Sequence, residues 1–552
     1  MQTTGHLLGE EYFFDTVTYM GNTYSIQKYF HIPGIDWVVP LKEPLYPWCP
    51  KMAASVAHLL NRKRVFSETF AGCGWGMDLG FMRYMVNKQY VFGVNLLTSI
   101  SAKLSLRGME RAKFWPGGLM VQQPYWEHVK VFADYVSRLS YLNSTGKHIS
   151  EVAVLFPITE VWAKALNKAV LDEYEKVFVK LTNGLFENQI DFDILDDDAI
   201  CDANVKDSRL LAGPGAFKVL VVPPMKTIKV KTLEKLLEFK NKGGKVIFTG
   251  CLPDSSVEKG GSDEGIKMLV EDYKPVAAVH LAKAVLKQIT PDLIATPKDG
   301  VYYQHRVSEK THYYMIVNSF NKERSLSLVF NRKDHPKVLD PETGLDRIPE
   351  RVFSSKGKAG IDIALGPYDV VYVFFEGKRL RPGKNRQKIR KVINIAGKWD
   401  FESRPVLLNP HLVWNFENID KGDGFPKKIG LGQWKKYGSP HFSGKGIYEK
   451  DIVIERKHTG RKLELDLGDV GLTAKLLVNG REVGIKVWKP FRFDLSGHLK
   501  AGNNKIRIEV CSSLIEHYSQ YKELHGLHAG YGGIIKSQLK SGLIGPVRLK
   551  IY

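Results

Sequence analysis

The residues most able to do chemistry lie early in the chain, and they are carboxylates beside glycine turns. The stretch Val65-Phe66-Ser67-Glu68-Thr69-Phe70-Ala71-Gly72-Cys73-Gly74-Trp75-Gly76 ends a short β-rich run on an acid and continues into a glycine-rich turn. In a barrel of alternating strands and helices, a charged group at the C-terminal tip of a strand points into the mouth where loops build the active site. Glycines 72, 74 and 76 allow close backbone approach to a ligand, and Trp75 offers a flat apolar face on which a sugar ring can stack. The competing reading is a strand end with a solvated Glu68 and an ordinary turn. Further polar groups follow the same pattern. His6-Leu7-Leu8-Gly9-Glu10-Glu11 sets two adjacent acids after a short apolar run. Phe30 to Trp37 ends in a turn carrying His31, Asp36 and Trp37, and Tyr90 to Asn95 reads as a buried strand with Asn95 at its tip. For His31 and Asp36, turn capping competes with a binding role.

These groups need a scaffold. A helix from Met52 to Leu60 leads into the Glu68 strand, and residues 1–150 contain about four strand–helix units where eight would close a barrel. The expectation is a domain whose first part lies before Met1. From Glu151 the pattern becomes a doubly wound parallel sheet over 151–268. Its strands are Val152 to Phe156, Phe192 to Leu195, Val219 to Pro223 and Val246 to Thr249, with a helix from Val230 to Lys240. No dinucleotide fingerprint or nucleophile elbow opens it, so a structural role is expected. Asp196-Asp197-Asp198 could bind a cation, but a helix cap is preferred. Residues 269–377 read as a small β-sandwich, with Asp340 to Gly344 in a turn. The cation-rich 378–391 reads as a basic linker, with polyanion binding as the alternative. Residues 392–552 read as a jelly roll with an Asn479-Gly480 hairpin turn. Trp434, Tyr448 and Trp488 could hold carbohydrate there, although core positions are commoner for such rings.

Composition sets limits. The chain has 552 residues, so roughly three or four domains are expected. Its net charge of +21 suits nucleic acid or an anionic polysaccharide. No zinc-finger spacing, RNP motif or P-loop supports the former. The five cysteines form no CxxC pair, which argues against a disulfide scaffold and a structural zinc site. No apolar run reaches the ~18 residues of a membrane helix. The first residues lack a signal peptide, so the expected location is cytoplasmic, or periplasmic or secreted if a longer form carries a leader.

The Glu68 motif, the element from His6 to Glu11, Ile32-Pro33-Gly34-Ile35-Asp36 and Phe92-Gly93-Val94-Asn95 together resemble the second half of the catalytic barrel of glycoside hydrolase family 106, the α-L-rhamnosidases. The later order also resembles that family: an amidotransferase-like α/β domain, a β-sandwich and a galactose-binding-like jelly roll. The last carries Gly397-Lys398-Trp399-Asp400-Phe401 and Gly542 to Val547, motifs shared with β-galactosidase relatives. The resemblance implies inverting hydrolysis of terminal α-L-rhamnosyl bonds in plant or algal polysaccharide, with calcium helping to hold the sugar. Inversion needs an acid for the leaving oxygen and a base for water. Glu68 matches the motif that supplies the base, and Glu10 or Glu11 could supply the acid, with Glu11 preferred. His31, Asp36, Trp75 and Asn95 are the candidates for holding the sugar. The family's acidic motif on an earlier strand has no counterpart here. The alternatives are a non-catalytic carbohydrate-binding fragment and a retaining β-glycosidase of the galactosidase clan.

Overall fold

The computed structural model describes residues 1–37, 46–100, 102–113, 119–164, 167–384, 389–406, 414–524 and 540–552. The first unit is built on three parallel strands, β1 (Gly34–Trp37), β2 (Phe66–Thr69) and β3 (Leu96–Ser99), in that spatial order. Thr4 adds a parallel bridge to Ile32, so the first residues run alongside the entry to β1. Helix α1 (Trp48–Leu59) connects β1 to β2, and α2 (Leu79–Val91) connects β2 to β3. α1 is apolar on nearly every face, so it is buried along most of its length, Lys51 included. α3 (Val129–Asn143) buries Val129, Phe132, Tyr135, Leu139 and Asn143, the single stripe expected of a helix lying on a core.

Tyr90–Asn95 is not a strand. Tyr90 and Val91 close α2, which Asp78 caps by accepting the Phe81 amide at 2.7 Å, and Gly93 turns the chain at φ 113°. A short apolar run is ambiguous between a buried strand and the last turn of a buried helix, and the cap decides it.

The central sheet of the second unit is parallel throughout. β4 (Val152–Leu155), β5 (Asp193–Leu195), β6 (Val219–Val222) and β7 (Lys245–Phe248) stand in the order β7-β6-β4-β5. Residues of β4 and β6 are buried on both faces, hence their continuous apolar runs. α4 (Lys168–Glu187) and α5 (Val230–Asn241) cover the sheet. Asp196 is a helix cap, accepting from the Ala199 amide at 2.9 Å. This unit extends past residue 268, because the helix Ala278–Leu286 buries Leu281 and Val285 in the core that α4 also enters.

The third unit is a sandwich of two antiparallel sheets, of five and six strands, with its own core around Tyr314, Leu328, Ile361 and Val373. Lys147–His148 joins its edge by pairing with Arg306 and Val307, so the end of the first unit is sewn into the third. Part of the 378–391 stretch is strand. Lys378 and Arg379 end the strand Val370–Arg379, Gly383–Lys384 pairs with Arg351 and Val352, and Lys391 opens a strand of the last unit, while 385–388 lie outside the described residues. Lys391 lies on an edge strand of its sheet, where a cation discourages sheet-to-sheet pairing.

The last unit packs a four-stranded against a six-stranded antiparallel sheet. Asn479 and Gly480 form a two-residue hairpin turn at φ 52° and 80°. Trp434 and Tyr448 are fully buried and joined by a 2.7 Å hydrogen bond, and Trp488 is 5% exposed. All three are packing residues rather than a sugar platform.

Candidate functional site

Parallel register builds the centre of the site. Asp36 on β1 is the register partner of Glu68 on β2, so the two carboxylates stand side by side on one face, one residue before the ends of their strands. His6 spans both. Its Nε2 is 2.7 Å from Glu68 Oε2, and its Nδ1 is 3.8 Å from Asp36 Oδ2 and 2.9 Å from the Leu7 carbonyl. The sequence signal for His6 was only its place in the run leading to Glu10 and Glu11, and its contact with Glu68 depends on Thr4 docking beside Ile32.

Two more acids close the group. Glu10 is fully buried. Its Oε1 accepts from the Leu7 amide, its Oε2 has no hydrogen-bond partner, and burial, with Glu11 and Asp36 nearby, pushes its pKa up to about 8. Glu11 is half-buried and is pushed up to about 7 by burial and by Asp36 and Asp15. Gly9 makes this turn possible. It sits at φ 67°, and a Cβ there would fall 2.6 Å from that of Asp15. The Cys49 thiol in the first turn of α1 lies within the field of Glu10, Glu11 and Asp36, and burial drives its pKa well up.

Behind the site, Gln89 of α2 donates to Thr69 Oγ1 at 3.1 Å, and Thr69 donates to the Trp37 carbonyl at 3.1 Å. Phe70 then adopts φ 78°, a strained conformation for a bulky residue, two positions after Glu68.

The other expected site residues lie elsewhere. His31 is exposed at the entry to β1, bonded to the Thr3 hydroxyl at 2.9 Å, at the opposite end of the strand from Trp37. Asn95 is buried at the entry to β3, where it accepts from the Val65 amide and donates to the carbonyls of Lys63 and Asn143. It is a structural clamp between strands. The Trp75 ring is 4% exposed, donates to the Ala112 carbonyl at 2.9 Å and packs on Tyr518 of the last unit. It offers no open face to a sugar.

Among the described residues, two groups of three donors converge as a metal site would require: His58, His148 and Asp193, and Glu127, His128 and Cys511. Neither contains Glu10, Glu11, Asp36 or Glu68. In the first, the two imidazoles stack at 4.3 Å with planes 16° apart. An ion ligated by an imidazole nitrogen lies near that ring's plane, so the stacked rings cannot share one. They share Asp193 instead, at 2.8 Å from His58 and 3.2 Å from His148, and Asp191 joins His148 to Lys51. In the second, the Lys445 ammonium already holds Glu127 and reaches Glu509.

The sequence pattern of the family described as alpha-L-rhamnosidase, Glyco_hydro_106, matches residues 46–348. The structure is similar to that of a rhamnosidase from Novosphingobium sp. PP1Y, with a TM-score of 0.71 and 21% identity, over 96% of this chain and 52% of that one. That likeness concerns the fold. A provisionally named beta-glucuronidase of Formosa agariphila is 22% identical over 365 residues, covering 60% of this chain and 28% of that relative. The chain thus spans about half the length of the similar solved structure and under a third of the curated relative.

Proposed function

The chain belongs to glycoside hydrolase family 106, the α-L-rhamnosidases, and from that premise we propose that it takes part in the inverting hydrolysis of terminal α-L-rhamnosyl linkages in a plant or algal polysaccharide. The observation that carries this reading is the register pairing of Asp36 with Glu68 under His6, which puts an anchored carboxylate near a strand end. Glu68 is the base that takes a proton from the attacking water. Glu11 is the acid this chain can offer. It is half-buried, and a pKa of about 7 lets it hold a proton near neutrality for the leaving oxygen. Glu10 has the higher pKa, but its full burial keeps it from a substrate. Asp36 is the remaining candidate for a sugar hydroxyl. We read the parallel strands of the first unit as the later part of a (β/α)8 barrel and the last unit as a jelly roll.

Calcium, which the family resemblance implies, needs six to eight oxygen donors converging on one point. The converging donor groups among the described residues exclude the four acids of this site, so the described side chains do not by themselves supply that set.

The test is release of L-rhamnose from an aryl α-L-rhamnoside and from a rhamnose-rich acidic polysaccharide, with Glu68→Gln beside the parent chain. Release abolished by the substitution supports the reading, and the anomer first formed distinguishes inversion from retention. No release with rhamnose still bound would make the chain a carbohydrate-binding piece instead. The net charge of +21 supports an anionic polymer as the substrate.

A further inference from the structure

The contact between His6 and Glu68 has a proton requirement that follows from its acceptors alone. His6 Nδ1 faces the Leu7 carbonyl at 2.9 Å, and a carbonyl oxygen can only accept, so Nδ1 carries a hydrogen. A neutral imidazole with its hydrogen on Nδ1 has a bare lone pair on Nε2. That lone pair would face Glu68 Oε2 at 2.7 Å, and an ionised carboxylate there would repel it. The contact closes with an ionised Glu68 only when Nε2 also carries a hydrogen.

We propose that His6 is the positioning residue of Glu68, held as a doubly protonated imidazolium that donates one hydrogen to the Leu7 carbonyl and the other to Glu68 Oε2. This rests on the reading of Glu68 as the base. The surrounding charges favour it. Asp36 on β1 lies 3.8 Å from Nδ1 and Glu68 on β2 lies at Nε2, so both carboxylates paired with the ring favour the cation, while Glu10 and Glu11 in the following turn are pushed toward their protonated forms by burial and add little charge. Thr98, the register neighbour of Glu68 on β3, adds no charge.

The arrangement divides the work of the two carboxylate oxygens. Oε2 is held by His6, which fixes the carboxylate's rotation, and Oε1 is the oxygen left for water. During attack the water O–H bond breaks, its proton goes to Oε1, and the hydroxyl joins the sugar carbon. The bond from that carbon to the leaving oxygen breaks as this bond forms, and the leaving oxygen takes its proton from the separate acid, which regains one from solvent. His6 keeps both of its hydrogens throughout, and Oε1 returns its proton to solvent after the sugar leaves.

The test reads the ring nitrogens directly. The full chain is labelled with 15N-histidine, the His6 signal is assigned by its loss in His6→Gln, and two-bond 1H–15N spectra are recorded at pH 7. The expected result is a doubly protonated pattern for His6 in the parent chain, replaced in Glu68→Gln by a neutral ring with its hydrogen on Nδ1. A neutral His6 of either tautomer in the parent, or a pattern indifferent to Glu68→Gln, overturns the proposal. The remaining histidine signals report whether each variant is folded, and Glu68→Asp gives a second variant that retains the charge and is expected to retain the doubly protonated pattern. Because no turnover is needed, a failure here stays separate from a failure to release rhamnose.

Discussion

The Trp75 indole lies against the Tyr518 ring with centroids 4.7 Å apart, so the loop that follows Glu68 is pinned by the last unit of the chain. Leu106, Ala112, Met120, Leu514, Ile515 and Leu524 complete this small core.

Tyr518→Ala is therefore expected to act on the Glu68 loop as well as on its own unit. Truncating a ring 2% exposed costs about 3–5 kcal/mol. Urea unfolding measures that loss. Limited proteolysis should show earlier cleavage between Phe70 and Asp78 than in the parent chain, and an unchanged cleavage pattern would separate the loop from the clamp.

Glu10 sets the alkaline behaviour. Its folded pKa of about 8 lies above the ordinary carboxyl value, so the folded state keeps a proton that the unfolded chain has released. Stability from this group is present below about pH 4.5 and is lost as pH rises toward 8. Glu10→Gln should raise the Tm at pH 8 relative to the parent, with the difference shrinking to nothing near pH 4. A constant difference across that range would assign the effect to packing.

His128 acts at the other limb. It is buried, its pKa is lowered to about 4 by burial, and its Nδ1 is 2.8 Å from the Thr473 hydroxyl. The unfolded chain binds this proton near pH 6.5, so stability is full above that value and falls as pH drops toward 4. His58 has the same direction and a value of about 4. His128→Gln should recover up to about 3 kcal/mol of the loss between pH 7 and 4, read from denaturant melts at each pH.

Arg83 joins three units. It bonds Asp369 Oδ1 at 2.5 Å and lies 4.8 Å from the Trp488 ring centre, while Arg347 holds Asp369 Oδ2 at 2.8 Å. Arg83→Met should cost about 3–5 kcal/mol, because it strips one partner from a buried charge. Adding Asp369→Leu should cost less than the sum of the single changes, and strict additivity in that cycle would deny the coupling.

The second unit was legible in the sequence because parallel strands buried on both faces must be apolar throughout, as Val152–Leu155 and Val219–Val222 are. Glu68 and Asp36 were legible as acids near strand ends, but their pairing was not, since register between strands thirty residues apart leaves no local mark. Trp75 and Asn95 misled for a related reason. A tryptophan in a glycine turn and an asparagine beside a strand look alike whether they face a ligand or the chain. Only the arrival of Tyr518 and of the Asn143 carbonyl from distant segments decides it. The edges at 268 and 378–391 were obscured because a short amphipathic helix and cation-bearing strand ends share their composition with linkers.

One apolar core runs without a break from Phe13 through Val154 and Phe178 to Met315 and Tyr372, while the second, third and last units each enclose a further core of their own. The last unit reaches the shared core through Leu472, Val487, Trp488 and Cys511, and meets Trp75 through Leu514, Ile515, Tyr518 and Leu524. Genetic exchange is channelled accordingly. A crossover between the first and second units must match both halves of a continuous interior, while one ahead of the last unit need match only a narrow seam. Exchange of modules is thus expected to spare the first two units as a block and to fall more readily at the edges of the third and fourth, which enter the shared core through only a few side chains.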